Sequence, residues 1–126
     1  MDKLTLRLTK NMSYKKDPTT IGFEILAGFL LYDVNMYGSK AWKEFIDHSD
    51  KTFDFGNYCY LEKDGYSVTI GFEDRYNIVN AKETLKITKK QLSYIIDRWQ
   101  EALEKKPSKI IITKDDNGEI KVEFED

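Results

Sequence analysis

One histidine, His48, and one cysteine, Cys59, stand in 126 residues, and neither has a second His or Cys to form a metal-ligand set or a catalytic pair. That scarcity argues against most enzymes. Carboxylate-only catalysis and carboxylate-only metal sites survive it, but the acids are not spaced as a recognised loop for either. The glycines at 22, 28, 38, 56, 65, 71 and 118 never gather as a phosphate cradle before a helix, so no nucleotide or other cofactor is expected. A single thiol permits no internal disulfide and suits a reducing compartment, here taken as the cytoplasm. The longest apolar stretch, Ile21 to Val34, is broken by Glu24 and Asp33 and falls short of the ~20 residues a membrane helix needs, so no membrane partner is expected. Met1 to Leu8 alternates apolar and polar residues, which predicts a strand and not the apolar region of a secretory signal.

What the chain has is charge and tyrosine. Its net charge is only −2, yet the distribution is uneven. Asp47 to Asp74 carries Asp47, Asp50, Asp54, Glu62, Asp64, Glu73 and Asp74 against Lys51 and Lys63, a net of −5. Lys82 to Lys114 is net +5, and the last twelve residues set six acids against Lys121. Acidic stretches of this kind attract a basic partner, and they also simply keep a domain soluble. Lys82, Lys86, Lys89 and Lys90 flank or begin a helix whose other face is core, with no stripe of bases joined to aromatics, so nucleic acid is not an expected partner.

The clearest element is a helix opening at Thr88. Thr88-Lys89-Lys90-Gln91 is a capping box, and Ile87 and Leu92 occupy the staple positions. Leu92, Ile95, Ile96, Trp99, Ala102 and Leu103 recur every three or four residues as its inner stripe, and Lys105-Lys106-Pro107 ends it. Gly38 to Ile46 predicts a short helix capped by Ser39, with Ala41, Trp42, Phe45 and Ile46 inward. His48 falls just past it, where a helix dipole favours a histidine. Ile21 to Val34 is open between helix and strand: Asp17-Pro18 and the recurrence of Ile21, Ile25 and Phe29 every four residues favour a third helix, and Gly22 and Gly28 oppose it. Lys109 to Lys114 and Glu119 to Phe124 read as strands joined by a two-residue Asn117-Gly118 turn. That hairpin explains Asp115-Asp116-Asn117-Gly118-Glu119 better than a calcium loop does.

A second hairpin is expected with Asp64-Gly65 as the turn, pairing Leu61 with Val68, Tyr60 with Thr69, Cys59 with Ile70 and Tyr58 with Gly71. Cys59, Leu61, Val68 and Ile70 then share the core face, with Tyr58, Tyr60, Glu62, Ser67 and Thr69 on the other. The chain lacks repeats, low-complexity runs and linkers, so residues 1–126 are expected to form a single domain. The fold class expected is α+β, an antiparallel sheet built from hairpins with two or three helices packed on it.

Several runs carry a resemblance: Tyr37-Gly38-Ser39-Lys40-Ala41-Trp42, Gly56-Asn57-Tyr58-Cys59, Lys63-Asp64-Gly65-Tyr66-Ser67-Val68-Thr69-Ile70, and Lys106-Pro107-Ser108-Lys109-Ile110-Ile111-Ile112-Thr113. In these turns and caps the chain resembles small bacterial immunity proteins of polymorphic toxin and contact-dependent growth inhibition systems. The resemblance implies a cytoplasmic, non-enzymatic antidote that binds one cognate toxin domain, often a nuclease, and blocks its active site or its access to substrate. Basic clefts of nucleases call for acids beside aromatic anchors. Asp54, Tyr58, Tyr60, Glu62, Glu73 and Asp74 are the grouping that fits, against the alternative that both tyrosines pack beneath the first helix. A small carboxylate-dependent hydrolase and a non-catalytic adaptor subunit are the competing functions.

Overall fold

The structure is a computed structural model that describes residues 2–35, 38–72 and 84–126. Among these residues it is an α+β fold of two four-stranded antiparallel sheets and three helices. Strands β1 (Asp2–Leu8), β2 (Tyr14–Lys16), β7 (Lys109–Lys114) and β8 (Ile120–Glu125) form one sheet in the order β2-β1-β7-β8. Strands β3 (Phe53–Phe55), β4 (Cys59–Asp64), β5 (Ser67–Phe72) and β6 (Thr84–Thr88) form the other in sequence order.

Helix α1 (Glu24–Gly28) runs directly into a π-helical segment, Phe29–Val34. The favoured helix is therefore present, but it begins six residues after Pro18. Asp17-Pro18-Thr19 is a turn instead, in which the Asp17 carboxylate accepts from the Thr19 N–H and hydroxyl at 2.8 and 2.6 Å. Ile21 bridges Lys3 and is exposed.

Helix α2 (Ser39–Asp47) starts from Gly38, whose φ of +83° suits glycine, so Ser39 is its first residue and not its cap. The Ser39 hydroxyl instead donates to Gln100 of the following long helix. Trp42, Phe45 and Ile46 are buried as expected, whereas Ala41 is exposed. Helix α3 (Lys89–Lys105) keeps its whole expected design: both halves of the capping box form, and Leu92, Ile95, Ile96, Trp99 and Ala102 are buried. Its C-cap, Lys106, takes the left-handed conformation.

The buried apolar residues of both sheets and all three helices form one cluster. Helix α3 reaches both sheets, so its inner stripe is the centre of the core. Trp99 is its largest fully buried side chain, with its ring 5.7 Å from that of Tyr14.

Both hairpins form with different turns from those expected. In the first, Asp64 pairs with Ser67, and Gly65-Tyr66 is the two-residue loop, with Gly65 at φ +59°. Glycine first with positive φ is the type II′ solution, whereas the Asp64-Gly65 expectation assumed glycine second. The register moves by two residues, pairing Leu61 with Ile70 and Tyr60 with Gly71. A shift of two leaves the side chains within β4 and β5 on their expected faces, whereas Tyr58 falls before β4. In the second, Lys114 pairs with Ile120 and the connection spans 115–119, with Gly118 at φ +81°. Asp115 Oδ1 organises it by accepting from the Asn117 and Glu119 amides, both at 2.9 Å.

Candidate partner-binding site

The sheet β3-β4-β5-β6 has one face turned to the core and one turned away. Cys59, Leu61, Val68, Ile70 and Ile87 line the core face and are buried. By strand alternation Phe53, Phe55, Tyr60, Glu62, Thr69, Gly71 and Lys86 share the outer face. Three of them are aromatic and adjacent. Phe55 sits across the ladder from Tyr60, and Phe53 across from Glu62. The Phe53 and Tyr60 rings are 5.6 Å apart and within 21° of parallel, with Phe55 6.4 Å from Phe53. Phe53 and Phe55 remain 46% and 55% exposed.

Gly71 makes this surface possible. A Cβ there would collide with the Tyr60 ring, so the absence of a side chain lets the ring lie across strand β5. The result is a partly wetted aromatic platform on a regular sheet, the kind of patch that marks an interaction surface.

Of the six residues expected to act together, the four that are described divide between two sides. Tyr60 and Glu62 stay on the outer face. Tyr58 lies one residue before β4 and turns inward: its ring meets Phe72 edge-on at 5.4 Å, packs 4.9 Å from Tyr32, and fills the space beside Gly28 of α1. The packing alternative therefore holds for Tyr58 and not for Tyr60. Burial pushes the Tyr58 phenol above its ordinary pKa. Asp54 pairs with the fully buried Leu61, so it belongs to the core-facing side, where it lines a cleft of about 180 Å³ with Ala41, Trp42 and Phe55. Glu73 and Asp74 lie outside the described residues. His48 is exposed at the end of α2, its backbone N–H donating to Glu44.

Two further charged side chains anchor this sheet from within. Asp33, in the π-helical segment, is fully buried, and its carboxylate accepts from the amides of Asn57, Tyr58 and Cys59 at 2.6, 2.8 and 2.8 Å. Gly56 leaves room for it, since a Cβ there would stand 2.5 Å from Asp33 Oδ1. Burial pushes the Asp33 carboxyl up, and the three amides pull it the other way. Trp42 Nε1 donates to the Asp33 carbonyl at 3.2 Å, tying α2 to the same point. Lys63 follows Cys59 and Leu61 on the inner face, and its Nζ donates to the Phe45 and Ser49 carbonyls at 2.5 and 2.8 Å. It thereby closes the C-terminal end of α2, and burial holds its pKa below the usual lysine value. Asp33 continues the Ile25, Phe29 spacing of four, and Lys63 the Cys59, Leu61 alternation; a charge at a core position was the signal for both.

One outer strand of each sheet, β3 and β8, has backbone groups occupied by side chains. On β3, the Asp54 carboxylate accepts from the Phe55 N–H at 2.9 Å. On β8, the Val122 N–H donates to the Tyr94 hydroxyl at 3.1 Å and the Val122 carbonyl accepts from Arg98 at 3.2 Å, both from α3. Groups occupied in this way discourage an added strand along β3 and β8.

Compared with family models, with curated proteins and with solved structures, the chain has no match. Among the described residues no helix is long and apolar enough to cross a membrane, and no three His, Cys, Asp or Glu side chains converge as metal ligands.

Proposed function

We propose that this chain is a non-catalytic cytoplasmic antidote that binds a toxin domain through the outer face of the β3-β4-β5-β6 sheet. The observation that carries the binding surface is the cluster of exposed Phe53 and Phe55 with half-buried Tyr60, on a sheet whose inner side is locked to the core. Aromatic side chains are stiff and amphipathic, and they dominate the energetics of protein interfaces. Glu62 and Asp64 give the cluster an acidic margin, suited to the basic cleft of a nuclease. The choice of a toxin as partner is supported by the resemblance to immunity proteins of polymorphic toxin systems.

The test is co-expression with the protein encoded by the neighbouring gene. Protection of growth together with a stoichiometric complex is the expected result. A folded Phe53→Ser, Phe55→Ser double variant should lose that protection. Failure to bind any neighbour-encoded protein would sink the toxin assignment.

A further inference from the structure

We infer that the platform receives an arginine side chain of the partner, its guanidinium stacked on the Phe53 and Tyr60 rings and paired with the Glu62 carboxylate. This rests on the reading of the outer sheet face as the partner surface. The Phe53 and Tyr60 rings are stacked near-parallel, and a guanidinium, planar and weakly hydrated, extends such a stack more readily than a compact ammonium does. Glu62 stands directly across the ladder from Phe53 and two residues along β4 from Tyr60. Side chains so related lie on one face within ~5 to 8 Å of one another, close enough for one guanidinium to reach the ring stack and the carboxylate. Glu62 is exposed and forms no ion pair among the described residues.

The chain holds one such arrangement already. Arg98 Cζ lies 4.0 Å from the Phe124 ring centroid while its Nη1 donates to Glu101 at 2.5 Å. Among the described residues, the outer face offers the same ring and carboxylate with no cation on them. Lys86, the base on this face among the described residues, lies beyond Thr69, two strands from Glu62. Aromatic sheet platforms also stack nucleobases, but here Glu62 and Asp64 would confront the phosphates, which favours a basic peptide surface over nucleic acid.

The experiment is an NMR titration of the full chain with three probes: a tetra-arginine peptide amide, its tetra-lysine counterpart and a short oligothymidylate. The arginine peptide should shift the signals of Phe53, Tyr60, Glu62 and Thr69 and bind about three-fold or more tighter than the lysine peptide. Tyr60→Leu, which keeps an apolar side chain, should erase that preference, and Glu62→Gln should weaken arginine binding in a folded protein. Equal binding of the two peptides, shifts centred on another surface, no arginine binding at millimolar peptide, or preference for the oligonucleotide would each overturn the inference. Those results leave the antidote reading to its own test, because protection lost in Phe53→Ser, Phe55→Ser would still place the partner on this face.

Discussion

The Tyr60 ring occupies the space that a side chain at Gly71, its partner across the β4-β5 ladder, would fill. The contact that would have to yield is the far end of a rotatable side chain, so a methyl at position 71 should turn the ring and leave the strand in place. Replacing glycine by alanine in a strand gains roughly 0.5 to 1 kcal/mol from a less flexible unfolded chain, which offsets part of the lost ring packing. Gly71→Ala should therefore unfold within about 1 kcal/mol of the wild type in denaturant. Its Tyr60 ring signals should move, and its partner binding should weaken. A large loss of stability would mean that Gly71 serves the backbone and not the platform.

Asp33 should be the most sensitive polar position in the protein. Asp33→Ala removes the single carboxylate that three consecutive amides share and leaves a cavity beneath Gly56. Taking away a buried acceptor of this kind costs on the order of 3 kcal/mol or more, a large part of an ordinary domain's stability. Urea melts should show the midpoint falling sharply. A near-neutral effect would show that the amides find water or another acceptor at once.

Much of this architecture is legible in the residues themselves. Thr88 and Gln91 announce the start of α3 because both halves of a capping box are local, and the 92–103 stripe needs only helical periodicity. The face assignment of the β4-β5 hairpin survives a two-residue error in register because side-chain direction repeats every two residues. What escapes is what depends on distant partners. Tyr58 turns inward because Gly28, Tyr32 and Phe72 form a slot for it. Phe53-Asp54-Phe55 is a strand of three residues, too short to show a period, so its two exposed rings are invisible until β4 is laid beside it.

Acid should act on Asp17 in a predictable direction. Two bonds from Thr19 and one from the Arg7 guanidinium hold its carboxyl well below the ordinary carboxylate range. A depressed folded pKa contributes stability above the unfolded value, about 3.9, and that contribution disappears as the pH falls through the folded pKa. Asp17→Asn should thus be less stable than the wild type at pH 7. The gap should close as the pH drops below about 4. Thermal melts from pH 2 to 7 would check this, and a gap that stays constant would remove ionisation from the explanation.

The central claim, that the outer aromatic face receives the partner, is tested most directly by binding kinetics of folded Phe53→Ala, Tyr60→Ala and Tyr58→Ala proteins with the cognate toxin domain. Phe53→Ala and Tyr60→Ala should dissociate faster by an amount typical of interface anchors, roughly 2 kcal/mol or about thirty-fold, with association nearly unchanged. Tyr58→Ala should lower stability and leave the kinetics of its folded fraction close to wild type. Wild-type dissociation in both outer-face variants, or a loss confined to Tyr58→Ala, would contradict the account.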